Sequence, residues 1–490
     1  MAREEAPRSR ISLWAQVLLS GALLAFVLVG VNVLARKFYL RKDLTTERAF
    51  ELDDATLQRL RALDRDVTIY LVFPGQEVSF DRCLPTVWQR IGVLCEEFRK
   101  RSSRIKVEIV TEANPSALED LRRHFESPVS NSIYVVAHFD KERFGKKALG
   151  VRAGSFYDGD PTTGRVDNFF GERWLLAALV ASTQEKKRVV YSLIGHEEMT
   201  VPSGLTVLAR FLEEREGVEL RPLPLKDLPG VPGDAEGVLV AAPQSSLEPR
   251  EIDLLKEYMS RGGGVFFAVD PGSRADLQTF LRDFGVEARR GVVLDNYENL
   301  RHDRRFLRVQ RYSDHEINRG MQNLNMSFIV PLTSIVRPAN QRVAGCVVTP
   351  LFFSGPQAWE ETGPLNQPRP VRDPGELSAM ETEEKQFPLG VAVSVALGRH
   401  DARMIVWGSA SALFDYNIGR LSVMNLEYIL NHFRWLVGRE ELIAVPPKRP
   451  GQRPMDLAPP TLARIQWITI LGFPMLGIVM GFLAWFLRRK

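Results

Sequence analysis

The residues of this sequence best suited to chemistry lie in the turn Gly195-His196-Glu197-Glu198 and at Asp270. A histidine can exchange protons near neutral pH, and a carboxylate such as Glu197 or Asp270 could serve as its partner. Each of these residues follows a short apolar run, and the carboxyl ends of buried parallel strands are where open α/β sheets bind ligands. We therefore predict His196, Glu197 and Asp270 as candidate ligand-binding residues.

The same residues do not complete a recognised catalytic motif. The G-x-S-x-G elbow of α/β-hydrolases is absent, because Ala410 stands where the serine should be. None of the cysteines, Cys83, Cys95 and Cys346, follows a predicted strand of this sheet or forms a CxxC pair. Adjacent residues such as His196, Glu197 and Glu198 seldom converge on one metal ion. We predict no catalytic residue, no metal and no other cofactor, while a structural turn, a ligand contact and a catalytic role all stay open.

The elements that must position these residues form a repeating pattern. Three apolar runs, beginning at Arg188, Gly237 and Gly264, are separated by helical patterns. Strands alternating with helices are typical of a parallel sheet with crossover helices. We predict a doubly wound α/β domain over residues 188–440, of the flavodoxin or class I glutamine amidotransferase-like type.

A second α/β domain is predicted before it, at residues 43–140. Its β-α-β-α-β order suits a thioredoxin-like fold, but the loop at residues 74–81 lacks the CxxC that redox chemistry needs. A scaffold or binding role is therefore expected. Residues 141–187 are predicted to form a connecting hairpin and a buried helix, on which Glu172 and Arg173 pair with each other or cap the helix.

A basic stretch follows the predicted sheet. It contains two histidines and five arginines: His302, His315, Arg301, Arg304, Arg305, Arg308 and Arg311. Such a stretch could recognise a phosphate or an anionic polymer, with Arg308 as a candidate ligand-binding residue. The alternative is a solvated edge strand protected by charge. Residues 354–386 are rich in breakers and acidic side chains and are predicted to be a long disordered loop.

Composition and the two ends of the chain indicate a membrane protein. The 490 residues are 45% hydrophobic and 25% charged, and a net charge of +4 gives no indication of nucleic-acid binding. Residues 11–34 and 465–487 are uncharged and long enough to cross a bilayer, which needs about 20 helical residues. We predict a cytoplasmic N-terminus at residues 1–10, two transmembrane helices, and a proline-rich linker at residues 441–464 before the second helix. Flanking charges are nearly balanced and do not decide the orientation.

Several motifs in order along the chain resemble a known family. They are Asp43-Leu-Thr-Thr-Glu-Arg48, Gly171-Glu-Arg173, Val190-Tyr-Ser-Leu-Ile-Gly-His-Glu-Glu198, Gly262-Gly-Gly264 with Asp270-Pro271, Met424-Asn-Leu-Glu-Tyr-Ile-Leu-Asn431 and the terminal Arg488-Arg-Lys490. Together they resemble the GldG-type auxiliary proteins of ABC transport systems, some of which are associated with gliding motility. The family usually has Gly-His-Gly-Glu where this chain has Glu197 at the third position. Because glycine permits a positive φ, this difference bears on any backbone contact to a ligand.

The resemblance implies a two-pass protein of the cell inner membrane with a large periplasmic region. It implies work beside an ABC permease and ATPase, no enzyme activity and no established cargo. The chain contains no G-x-x-x-x-G-K-[ST] phosphate loop, so another subunit would supply the ATPase. The alternative hypothesis is a membrane-anchored hydrolase or a glycan-processing or glycan-binding protein that uses the Gly195–Glu198 turn. A third hypothesis is a carbohydrate-binding module lined by Trp359 and the basic stretch.

Overall fold

The computed structural model describes residues 51–73, 81–111, 114–125, 128–138, 147–184, 187–321, 326–363, 386–397, 400–418 and 423–448, with isolated positions in the terminal segments. Met1–Glu51 and Leu52–Lys490 are two separate units. Among the described residues, no helix has both the length and the apolar character that crossing a bilayer requires. The transmembrane helices predicted at residues 11–34 and 465–487 lie almost wholly outside the described residues.

The first part of Leu52–Lys490 is a four-stranded sheet with three helices. Its elements are α1 (Asp54–Arg61), β1 (Val67–Val72), α2 (Leu84–Arg101), β2 (Ile105–Val110), α3 (Pro115–Arg122), β3 (Ser132–Ala137) and β4 (Lys147–Arg152). The strand order is β2-β1-β3-β4, with β1 parallel to β2 and antiparallel to β3. The helices α1 and α2 pack against one face of this sheet, and α3 packs against the other. Every residue of β1 and β3 is therefore buried. The buried residues of α2 recur at helical spacing from Leu84 to Phe98, as an amphipathic helix requires.

A hairpin and a buried helix connect this sheet to the next. The hairpin pairs β5 (Tyr157–Asp160) with β6 (Arg165–Phe169), and α4 (Gly171–Thr183) follows. Nearly every residue of α4 is buried, as its all-round apolar sequence predicts.

The largest sheet has eight strands, in the order β15-β18-β20-β21-β10-β9-β7-β8. The strands are β7 (Arg188–Leu193), β8 (Val218–Leu223), β9 (Ala235–Ala241), β10 (Gly264–Ala268), β15 (Arg311–Tyr312), β18 (Cys346–Phe353), β20 (Pro388–Leu397) and β21 (His400–Trp407). Strands β8, β7, β9, β10 and β21 are mutually parallel, whereas β20, β18 and β15 continue the sheet in antiparallel pairings.

Both faces of this sheet are covered by helices. The helices are α5 (Thr206–Phe211), α6 (Pro249–Ser260), α7 (Gln278–Asp283), α8 (Asp415–Ile418), α9 (Val423–Leu436) and α10 (Glu440–Ala444). Alternate residues of β10 point to opposite faces, so Phe266 packs in the core with α4 and α9, and Phe267 in the core with α6 and α7. The sheet is therefore the middle layer of three.

Short strands between α7 and β20 form three small sheets. Their members are β11 (Val286–Ala288), β12 (Val292–Leu294), β13 (Asn299–Leu300), β14 (Asp303–Val309), β16 (Phe328–Pro331), β17 (Val336–Pro338) and β19 (Trp359–Glu361). The pairings are β11 with β17, β12 with β19, and β13-β14-β16. Two predictions need correction here, because β19 lies within the loop predicted at residues 354–386 and α10 overlaps the start of the linker predicted at residues 441–464. Residues 364–385 and 449–464 of those segments are outside the described residues.

A buried network of charges ties α4, α9 and a π-helical turn at Leu212–Glu216 together. Arg434 donates to Glu216 Oε1 at 2.6 Å and to Glu427 Oε2 at 3.3 Å, and its side chain is fully buried. Arg173 donates to the same Glu427 carboxylate at 3.1 Å. Arg173 therefore pairs with α9 and not with Glu172, so the first of the two predicted alternatives, a pair between these neighbours, is wrong.

These elements confirm the mixed α/β class. The thioredoxin-like and flavodoxin-like or amidotransferase-like assignments, and the domain boundaries, stay predictions.

Candidate functional site

The predicted site lies where four parallel strands of the large sheet end. Backbone hydrogen bonds join the segments that follow β7, β9, β10 and β21. The Met199 N–H donates to the Ala241 carbonyl at 3.1 Å, and the Ala242 N–H donates to the Ala268 carbonyl at 2.8 Å. The Val269 N–H donates to the Trp407 carbonyl at 2.9 Å. The strand ends thus form one continuous, internally bonded edge.

His196 lies in this edge between two buried carboxylates. Its Nδ1 is 2.9 Å from Glu198 Oε1, and its Nε2 is 2.8 Å from Glu251 Oε2. The histidine is 5% exposed and Glu251 is fully buried. His196 therefore acts as a cross-link between the turn after β7 and the helix α6.

Glu251 reaches His196 because of how α6 begins. Glu248 and Glu251 form a capping box, and the Glu248 N–H donates to Glu251 Oε2 at 2.9 Å. Pro249 occupies the first turn, where proline's fixed φ favours helix initiation. Sequence reasoning missed Glu251, although the Glu-Pro-x-Glu spacing is a helix-start signal that could have identified it.

Glu197 does not pair with His196, which corrects the predicted partnership. Its side chain is exposed, and its φ is +60°. The backbone at Glu197 thus adopts the left-handed conformation that favours glycine, at a cost in strain.

Asp270 follows β10 and also has partners other than His196. Its carboxylate accepts from backbone N–H groups of Ala410 and Ser411, and the Ser411 hydroxyl lies 3.4 Å away. Burial raises the pKa of Asp270 above its ordinary value, and these hydrogen bonds offset part of the rise. A neighbouring cavity of about 20 Å³ has room for roughly one water molecule and not for a substrate.

Gly408, at the end of β21, has a packing role. A Cβ at this position would lie 2.1 Å from the Ser334 carbonyl oxygen, so only glycine allows the two backbones to approach. This contact explains the glycine in Gly408-Ser-Ala-Ser-Ala412 without a nucleophile elbow.

Arg308 is not brought together with the other predicted site residues. It is exposed on β14, in the three-stranded sheet, whereas His196, Glu197 and Asp270 lie at the strand ends of the large sheet. The edge-strand interpretation of the basic stretch is wrong for β14, because β14 lies between β13 and β16. The tip of the β13–β14 hairpin lines an open pocket of about 390 Å³, whose lining residues are Leu294, Arg301, His302, Asp303, Arg304 and Arg305.

Trp359, the possible sugar contact, is 6% exposed and packs with Val292 and Leu294. No group of histidine, cysteine, aspartate and glutamate side chains within the described residues is arranged to hold a metal ion.

Comparison with known proteins gives one family. Residues 187–428, just under half of the chain, match the model of a family described as an ABC-type uncharacterized transport system, ABC_transp_aux. No curated protein matches. Among solved structures, the mmIFT52 N-terminal domain is 16% identical with a TM-score of 0.38, over 51% of this chain and 96% of that one. That likeness is too weak to support an inference.

The matched segment includes the edge formed by the strand ends, with His196, Glu251 and Asp270. The resemblance to auxiliary proteins of ABC-type transport systems is therefore confirmed over residues 187–428, whereas the narrower GldG-type assignment stays a prediction.

Proposed function

We propose that this protein is a non-catalytic accessory subunit of an ABC-type transport system. Its two predicted transmembrane helices anchor it in the inner membrane beside a permease and an ATPase. Its large body faces the periplasm and binds a partner or a cargo. The family match over residues 187–428 supports the transport role.

The observation that favours a non-catalytic role is the state of His196. Both ring nitrogens are engaged by carboxylates of the same chain, at 2.9 and 2.8 Å, and the side chain is 5% exposed. A general base must reach the proton that it removes from a substrate. A histidine held in this way stabilises the fold instead, so the hydrolase alternative has no supporting geometry at the Gly195–Glu198 turn.

Residues 53–448, here called the body, have their first and last residues close to Glu172. This supports a protein that is tethered to the membrane at both ends of the body. The Asp53 N–H donates to Glu172 Oε1 at 2.6 Å, and Lys448 Nζ lies 2.6 Å from Glu172 Oε2. Asp53 follows the first predicted transmembrane helix and Lys448 precedes the second. The chain segments that lead to the two predicted helices therefore start from neighbouring residues.

Affinity purification of the full-length chain from native membranes tests this proposal. We expect a polytopic permease and an ATPase with a G-x-x-x-x-G-K-[ST] loop to co-purify. Reporter fusions at Gly164 and at the C-terminus give the sidedness, with Gly164 expected in the periplasm. Turnover of a substrate by the purified chain alone would overturn the non-catalytic assignment, and a cytoplasmic Gly164 would overturn the topology.

A further inference from the structure

The tip of the β13–β14 hairpin forms a basic pocket apart from the strand-end site. The pocket has a volume of about 390 Å³, within the usual range for small-molecule sites, and five consecutive residues from Arg301 to Arg305 line it. Since β14 has a neighbour on each side, the positive charges do not serve to protect an open sheet edge. Their position therefore calls for another explanation.

Only part of the pocket's charge is compensated. Arg305 binds Asp303 through two hydrogen bonds of 2.9 and 2.8 Å. Within the described part of the chain, neither Arg301 nor Arg304 forms an ion pair or a side-chain hydrogen bond. Three arginines and one aspartate line the pocket, so two positive charges remain even without counting His302. A carboxylate is satisfied by one arginine, whereas a phosphate monoester carries nearly two negative charges at pH 7 and accepts from several donors.

The backbone of the turn supports a role for these side chains. Arg301 has a φ of +52° and His302 a φ of +62°, and they are the two residues between Leu300 and Asp303. Two-residue hairpin turns with positive φ at both positions strongly favour asparagine and glycine. Arginine and histidine are strained there, and such strain is concentrated at binding sites. A turn that only reversed the chain would not need these two residues.

We propose that the pocket formed by Arg301–Arg305 binds a phosphate group, either as inorganic phosphate or as a phosphate monoester. Arg301 and Arg304 are the principal donors, His302 contributes a ring N–H, and the Arg305–Asp303 pair holds the floor in place. Arg308 lies outside the pocket lining. The proposal does not depend on the transport function, because it concerns a different sheet from the strand-end site.

Calorimetric titration of the full-length protein in neutral detergent tests the proposal. The probes are inorganic phosphate, glycerol 3-phosphate as a small phosphate monoester, and acetate as a carboxylate control. The combined substitution Arg301→Gln with Arg304→Gln is expected to weaken phosphate binding at least about tenfold, because each charge-assisted hydrogen bond contributes more than a neutral one. The matched control is Arg282→Gln, since Arg282 is also exposed but lies on α7. It should bind phosphate as the wild type does.

A second variant separates binding from folding. Arg301→Asn combined with His302→Gly installs the favoured turn sequence, so its melting temperature should not fall while phosphate binding is lost. Tighter binding of glycerol 3-phosphate than of phosphate supports an esterified ligand, and equal binding supports free phosphate. The proposal is overturned if the wild type binds neither, if acetate binds as well as phosphate, or if the Arg301 and Arg304 variant binds like the Arg282 control.

Discussion

Histidine is suited to proton transfer, but both ring nitrogens of His196 bind carboxylates of the same chain and so stabilise the fold. Its two ring nitrogens face Glu198 and Glu251, and its carbonyl oxygen accepts from the Gln244 N–H at 2.8 Å. Removing any one partner would leave a buried polar group unsatisfied, which costs more than the hydrogen bond itself contributes. The turn is therefore held by a set of bonds that are mutually dependent.

Glu197 in the same turn should tolerate glycine better than glutamate. A non-glycine residue in the left-handed region costs roughly 1–2 kcal/mol, and the greater chain entropy of unfolded glycine offsets about half of this. We expect Glu197→Gly to raise the free energy of unfolding by about 0.5–1 kcal/mol. Urea denaturation measures the change. The control is Glu257→Gly, in the last turn of α6 and exposed, which should lose up to about 1 kcal/mol. Equal losses in both variants would contradict the strain argument.

Glu251 should be far more important for stability than other glutamates of α6. Glu251→Ala removes one partner of His196 and half of the capping box, so we expect a loss of about 2–4 kcal/mol in the free energy of unfolding. Glu257→Ala is the matched control, because Glu257 is exposed and its ion pair with Arg261 is long, at 3.8 Å. Its expected change is below about 0.5 kcal/mol. If both substitutions have the same effect, His196 is not a cross-link.

Sequence spacing located this turn but not its partners. His196, Glu197 and Asp270 could be placed at strand ends because apolar runs precede them, and all three are there. Glu251 is 55 residues from His196 along the chain, and only packing of α6 against the sheet brings them together. With a positive φ at Glu197, the side chain of Glu198 points inward and that of Glu197 is exposed. The residue types in the sequence did not indicate this backbone conformation.

At the scale of elements, α9 is the helix that joins the charge network to the aromatic core. One side carries Glu427 and Arg434, and the other packs His432 against Trp407, with ring centroids 4.5 Å apart. The face formed by Met424, Tyr428, Ile429, Phe433 and Leu436 is buried. Periodicity could not indicate that the polar side is buried as well, because the arginines and glutamates that neutralise one another come from distant segments.

Burial of His432 should make the protein less stable in mild acid. Its Nδ1 lies 2.7 Å from the Tyr428 carbonyl oxygen, and burial lowers its pKa from 6.5 to about 3. Between these values the unfolded chain binds a proton that the folded chain does not, so stability is lost as pH falls below 6.5. For this one group the slope approaches about 1.4 kcal/mol per pH unit.

Urea denaturation at several pH values between 6.5 and 5 measures this slope, since most carboxylates remain ionised there. His432→Leu should lower stability at pH 7 but flatten the dependence on pH. The slope is independent of the overall loss of stability, so a destabilised variant still gives an answer. Identical slopes in the wild type and in His432→Leu would show that another group is responsible.

At the scale of the whole molecule, Glu172 joins the two ends of the body. Besides the contacts to Asp53 and Lys448, residues Phe169 and Lys448 form a reciprocal backbone bridge with N···O distances of 2.7 and 2.9 Å. Arg173 donates to the Val445 carbonyl at 2.8 Å. The sequence predicted a helix start at Glu172 and Arg173 but not this junction, because its members are spread over almost 400 residues of the chain.

We expect Glu172→Gln to loosen the end of the body that precedes the second predicted transmembrane helix. The amide keeps an acceptor for the Asp53 N–H but loses the charge that faces Lys448, whose side chain is 13% exposed. Loss of this partly buried ion pair should cost about 1–3 kcal/mol, between the values for exposed and fully buried pairs. The effect should be local, with faster hydrogen exchange at the amides of Phe169 and Lys448 and little change in β10.

Lys448→Gln should give the same pattern of exchange, and the two substitutions together should cost less than the sum of the separate losses because they remove one shared interaction. Lys187→Gln is the matched control, since the Lys187–Glu213 pair is exposed on both sides and such pairs contribute little. If exchange at Phe169 and Lys448 is unchanged in Glu172→Gln, the backbone bridge alone holds the junction. In that case Glu172 does not stabilise the junction, and its contacts with Asp53 and Lys448 do not support a protein tethered to the membrane at both ends of the body.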